Sequence, residues 1–88
     1  MIPPQNIEAE RSVLGAMLID DEAIGHALEI LDASWFYEDA HAKIYTAILD
    51  LYNHRKNVDL ITISDQLKND GLLEAIGGVP YLLMMIDM

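Results

Sequence analysis

The chain has 88 residues, enough for one domain and one core, and a domain of this size buries only about 60–65% of its unfolded surface. A hydrophobic fraction of 52% excludes a disordered acidic tail, while a formal charge of −10 with only five Lys and Arg excludes a phosphate-backbone binder and an electrostatic grip on an anionic membrane. An apolar excess inside an acidic shell suits a protein–protein module.

The first residues, Met1-Ile2-Pro3-Pro4-Gln5, lack the basic and long apolar segments of a signal peptide. Pro3 and Pro4 disfavour helix at the residues before them, which predicts an extended start. Asn6 can cap the helix that follows, with Glu8 and Glu10 placed for its positive end. Ala9, Val13, Leu14, Met17 and Leu18 form its apolar stripe. Gly15 lies inside the stripe, where glycine costs roughly 0.5–1 kcal/mol against alanine; close approach of a neighbouring helix would compensate.

Asp20-Asp21-Glu22 ends this helix and begins a second. Capping by Asp20 or Asp21, with Glu22 in the first turn, accounts for all three carboxylates without metal or acid–base chemistry. Ile24, Ala27, Leu28 and Leu31 make the buried stripe, and His26 falls off it, toward solvent. Asp32-Ala33-Ser34 reads as a turn leading to a brief helical turn with Trp35 and Phe36, which are expected to be core anchors. A base-stacking role for the two rings is disfavoured because the nearest charges are Asp32, Glu38 and Asp39.

The segment from Asp39 to Asn53 is the predicted centre of the fold. At ~100° per residue, His41, Ile44, Tyr45, Ala47, Ile48 and Leu51 share a broad arc with Ala40, Leu49 and Tyr52. Asp39, Lys43, Thr46, Asp50 and Asn53 form a narrow strip opposite. The apolar arc is about twice the ~100° of an ordinary surface helix, so other helices should enclose it on several sides. His41 lies within the arc, as a neutral, hydrogen-bonded core histidine would. His54-Arg55-Lys56, the one basic island, complements the negative end of this helix.

Asn57-Val58 reads as a turn, with Asn57 suited to the left-handed region. Leu60 to Ile63 is β-branched, but no second strand-like stretch exists to pair with it. The preferred reading is a helix capped by Asp59, burying Leu60, Ile63 and Leu67 and closed by Asp70-Gly71. Leu72 to Ile76 is a short helical segment ended by Gly77-Gly78. Pro80 suits the first turn of a last helix through Tyr81 to Ile86, which is apolar all round and needs cover on every side. The ending at Met88 carries no helix-stop residue, as if cut from something longer.

No nucleophile–base pair, zinc spacing or nucleotide fingerprint is present, and Gly77-Gly78 lacks the G-x-x-x-x-G-K-[ST] context of a phosphate loop. There is no cysteine for disulfide or thiolate chemistry and no apolar run near the ~18 residues of a membrane span. The compartment reads as cytoplasmic. Catalytic, cofactor and metal residues are therefore expected to be absent from these 88 residues.

The opening PPQNIEAERSVLGAML resembles the start of bacterial replicative DNA helicases of the DnaB type. WFYEDAHAKIYTAILDLY, VDLITISDQL, Gly71-Leu72-Leu73 and EAIGGVPYL follow in that family's order and spacing and cover nearly all of the chain. The resemblance is to the N-terminal domain alone, since the Walker motifs of the motor are missing. It implies an all-α collar domain over residues 1–88, of five or six helices without a sheet, cut before a helical hairpin that mediates dimer contacts. It implies hexamer organisation and docking of primase, with a helicase loader in some relatives, and ATP with Mg only in the missing motor. Arg55 and Asn57 stand where many relatives carry Gly and Pro, and Leu83 and Met84 where relatives often place more polar residues. The candidate partner surface is Tyr81, Leu83, Met84 and Met85; the expected core is Trp35, Phe36, His41, Ile44 and Ile48. The alternatives are a helicase-binding domain of a primase and a small stand-alone helical enzyme.

Overall fold

Asn6 starts the first helix as its side chain suggests, accepting the Ala9 N–H at 2.9 Å. The computed structural model describes residues 6–88; the extended start expected at Pro3 and Pro4 lies outside the described residues. Five helices follow: α1 (Ile7–Ile19), α2 (Asp21–Ile30), α3 (Asp39–Asn53), α4 (Leu60–Asn69) and α5 (Gly78–Ile86). A 3₁₀ turn, Ala33–Trp35, precedes α3. There is no strand among the described residues, and Leu60–Ile63 belongs to α4.

α3 lies at the centre. His41, Ile44, Tyr45, Ala47, Ile48 and Leu51 are buried, while Asp39, Thr46, Asp50 and Asn53 face solvent. The enclosed arc is narrower than its composition suggests, because Tyr52 is exposed. The same core takes in Leu14, Met17 and Leu18 of α1, Ile24 and Ala27 of α2, Ile63 and Leu67 of α4, and Leu82 and Met85 of α5, with α1 and α4 packed directly on α3 and α2 and α5 on α1. Two loop residues, Val58 and Ile76, are also buried, closing the core where α3 leads to α4 and where α5 begins. The Tyr45 hydroxyl donates to the Leu31 carbonyl at 3.0 Å. Burial, followed by the nearby Asp32 charge, raises its pKa above the ordinary tyrosine value.

Local signals position the helix ends. Asp20 closes α1 and caps α2, accepting the Glu22 N–H at 3.0 Å. Asp59 and Thr62 form a reciprocal capping box on α4, with both bonds at 2.9 Å. α4 ends in a Schellman arrangement: Gly71 donates to Lys68 and Leu72 to Leu67, with Gly71 at φ 73°. α3 ends the same way through Arg55 to Tyr52 and Lys56 to Leu51. The left-handed residue there is Arg55, at φ 57°, and not Asn57, because the geometry belongs to the position just past the helix cap. Leu72 to Ile76 makes a single turn and does not continue as a helix.

One core expectation and one surface expectation are corrected. Trp35 is 41% exposed. A single 3₁₀ turn cannot aim two successive rings at one core, and Phe36 takes the inner place, 5.1 Å from the Tyr45 ring. Met85 is buried and so is no surface residue: at i, i+3 with Leu82 it lies on the inner face of α5. An all-apolar helix carries no polar residue to mark which face turns outward.

Gly15 is where α5 crosses α1: a Cβ there would overlap the Met85 backbone carbonyl. Gly25 of α2 has room, since a Cβ would meet only the Tyr52 hydroxyl at 3.8 Å. The two glycines therefore predict opposite signs in urea unfolding. Gly15→Ala lowers stability by ~1–3 kcal/mol through overpacking, and Gly25→Ala raises it by up to ~1 kcal/mol. Equal effects at both positions would contradict the close crossing.

Candidate protein-interaction surface

The first turn of α5 is held by a hydrogen-bonded chain that begins on α1. His41 has no exposed surface, yet both ring nitrogens have partners. A carboxylate only accepts, so Nδ1–H donates to Glu10 Oε1, at 2.7 Å. On the other side Nε2 lies 2.5 Å from the Tyr81 hydroxyl, which accepts from Arg11 Nε at 3.2 Å. With Arg11 donating, the phenolic proton is free to donate to Nε2. The rings of His41 and Tyr81 stack 5.7 Å apart at 18°.

Glu10 does more than complement the start of its own helix. Its Oε2 accepts the Tyr37 N–H at 2.7 Å and its Oε1 the Glu38 N–H at 3.3 Å. One carboxylate thus satisfies the imidazole and two backbone donors immediately before α3, near the positive end of that helix. α1, the turn before α3, α3 itself and α5 meet at this point.

A carboxylate–imidazole–hydroxyl series is also the wiring of nucleophilic hydrolases. Here the imidazole is sealed from solvent, and the Tyr81 hydroxyl is engaged by Arg11. The arrangement fixes helices. Its output is the direction of α5: with Leu82 and Met85 anchored inside, Leu83 and Met84 are turned outward, 49% and 41% exposed. Pro80, Leu83, Met84, Ile86 and Asp87 line a shallow apolar depression there.

Of the residues expected at a partner surface, Leu83 and Met84 are at the surface, Tyr81 is half-buried at its base, and Met85 is in the core. The parts of Glu10 and Arg11 in this arrangement have no local signal, because their partners lie 31 and 70 positions away. Among the described residues no group of three or more His, Asp or Glu could hold a metal, and no helix is long and apolar enough to cross a membrane.

Stability measurements on His41 variants test the chain of bonds. His41→Asp sets a second buried carboxylate against Glu10 and is expected to cost several kcal/mol, a large share of a small domain's stability. His41→Gln retains a donor for Glu10 and is expected to be milder. An unchanged melting temperature for His41→Asp would contradict the buried bridge.

Comparison with known proteins agrees with this architecture. The profile of the DnaB-like helicase N terminal domain matches residues 2–88. The chain is 48% identical over 85 residues to the replicative DNA helicase DnaB of Mycobacterium leprae, covering 97% of this chain and 14% of that protein. It is 47% identical over 81 residues to the replicative DNA helicase DnaC of Bacillus subtilis, covering 92% of this chain and 18% of that one. It thus spans less than a fifth of these relatives. The crystal structure of the N-terminal domain of DnaB helicase from Mycobacterium tuberculosis superposes with a TM-score of 0.94 at 47% identity, over 97% of this chain and 62% of that one. The chain belongs to the family of DnaB-like helicase N-terminal domains.

Proposed function

We propose that residues 1–88 serve as the collar domain of a cytoplasmic replicative DNA helicase, organising a hexameric ring and docking primase, with a helicase loader as a further partner. Strand separation, with its ATP and Mg, belongs in this reading to a motor outside these residues; the chain carries no phosphate-loop pattern of its own. The observation that carries the proposal is the match to a DnaB N-terminal domain over 97% of the chain at a TM-score of 0.94. The chemistry is consistent with it: a bridge through the fully buried His41 positions helices, and an acidic surface repels a phosphate backbone.

Within that reading the partner contact falls on α5. Leu83 and Met84 present apolar, adaptable side chains on a helix whose other face is anchored. Tyr81 sets that helix through His41 and Arg11, so partner binding and domain geometry share one residue.

The test is made in the full-length protein with Leu83→Glu and Met84→Glu combined, two exposed sites whose change leaves the core intact. Primase affinity is expected to fall roughly tenfold or more, the scale of losing apolar anchors from an interface, with the melting temperature unchanged. Unaltered primase affinity would remove α5 from the contact. A 1–88 fragment that hydrolysed ATP, or bound single-stranded DNA in a salt-resistant way, would overturn the scaffold reading itself.

A further inference from the structure

The outward face of α5 is not uniformly apolar. Pro80, Leu83, Met84 and Asp87 fall at i, i+3, i+4 and i+7 and are all exposed. They form one stripe about 10 Å long by helix rise. The same four residues, with Ile86 beside them, line the shallow depression on this helix. The stripe is apolar from Pro80 to Met84 and ends in a carboxylate that belongs to the lining itself.

Asp87 stands where its own helix cannot neutralise it. It is the C-cap of α5, and its backbone N–H donates to the Leu83 carbonyl at 3.0 Å. The carbonyls of the last turn give this end a partial negative charge, to which Asp87 adds a full one. The last turn carries no basic residue, and Asp87 makes no ion pair among the described residues. The five cations are placed elsewhere. Arg11 bonds to Tyr81 in the first turn of α5, and Lys43 pairs with Asp39. Arg55 and Lys56 line a depression with Asp21, and Lys68 lies in the last turn of α4. An acid at the negative end disfavours its helix, so helix formation does not account for Asp87. A cation supplied from outside would meet the carboxylate and the helix end together.

We propose that the α5 stripe receives a partner segment carrying an apolar side chain and, roughly one helical turn away, a Lys or Arg that pairs with Asp87. The proposal rests on the reading that α5 contacts primase, and it names the chemistry of that contact. The apolar side chain fills the depression beside Leu83 and Met84 and supplies most of the affinity. The ion pair at the edge sets the direction in which the segment lies and speeds its approach. A segment with an acid in that place is rejected, which disfavours a nucleic-acid backbone and the acidic shell of a second copy.

The test compares full-length variants for primase affinity, association rate and melting temperature. The combined Leu83→Glu and Met84→Glu variant reports whether α5 is the contact, and Asp87 variants report on the cation. Asp87→Asn is expected to lower primase affinity roughly two- to fivefold, the range of an exposed ion pair, mainly through slower association. That difference from the parent protein is expected to vanish at about 1 M salt. Asp87→Lys is expected to lower affinity roughly tenfold or more through like-charge repulsion. Neither change should lower the melting temperature, because each removes an acid from the negative end of the helix. Among Lys→Glu and Arg→Glu variants of primase, one is expected to bind the Asp87→Lys protein better than the parent protein. Affinity lost with Leu83→Glu and Met84→Glu but unaltered in both Asp87 variants would overturn the proposal and leave the α5 contact standing. Unaltered affinity in the Leu83 and Met84 variant would remove the contact and the proposal with it. If that variant instead lost ring assembly or melting temperature, the stripe would belong to a second copy or to another segment of the protein.

Discussion

A buried imidazole is tolerated only when both of its nitrogens are satisfied, and this constraint organises the domain. His41 sits in the core, out of reach of water, and each unmet bond there would cost on the order of 1–3 kcal/mol. Its partners come from α1 and α5, which also pack against each other. Neither helix can slide without leaving a nitrogen or a carboxylate unpaired. Apolar side chains tolerate small shifts in packing; hydrogen bonds between 2.5 and 3.3 Å do not. The hydrophobic core supplies most of the driving force, and the bridge selects one arrangement of three helices.

That selection fixes the geometry of the surface. α5 is apolar on all sides, so hydrophobicity alone would let it rotate about its axis. Tyr81 at its first turn and the Gly15 crossing along its length remove that freedom. What remains outward is a defined pair, Leu83 and Met84. The strongly acidic shell keeps such apolar surface soluble and discourages nonspecific contact with nucleic acid. An apolar surface on a fixed helix and a concentration of negative charge suit the proposed docking role.

Features encoded within a few residues were legible in the sequence. Asn6, Asp20 and Asp59 act at helix starts through bonds to backbone two or three positions away, and Gly71 acts at one helix end. The inward face of α3 followed from periodicity, including the burial of His41. Gly15 was legible as a close crossing, although the identity of the crossing helix was not. The bridge partners were out of reach, because Glu10 and Tyr81 are 31 and 40 positions from His41 and nothing local marks the pairing. Sidedness failed where composition is uniform: Trp35 and Phe36 are adjacent apolar rings, and Met84 and Met85 adjacent methionines, yet one of each pair turns inward. At the end of α3 residue preference pointed to Asn57, but the chain's path requires the left-handed turn at Arg55.

The central claim is that Glu10, His41 and Tyr81 act as one unit, although Glu10 and Tyr81 meet only through the imidazole. A double-mutant cycle with Glu10→Gln and Tyr81→Phe, followed by urea unfolding, tests it most directly. Residues that share a buried partner are expected to show a coupling of about 0.5–3 kcal/mol. Additive effects, within the ~0.3–0.5 kcal/mol typical of independent sites, would mean that His41 contacts two separate neighbours and does not bridge the helices.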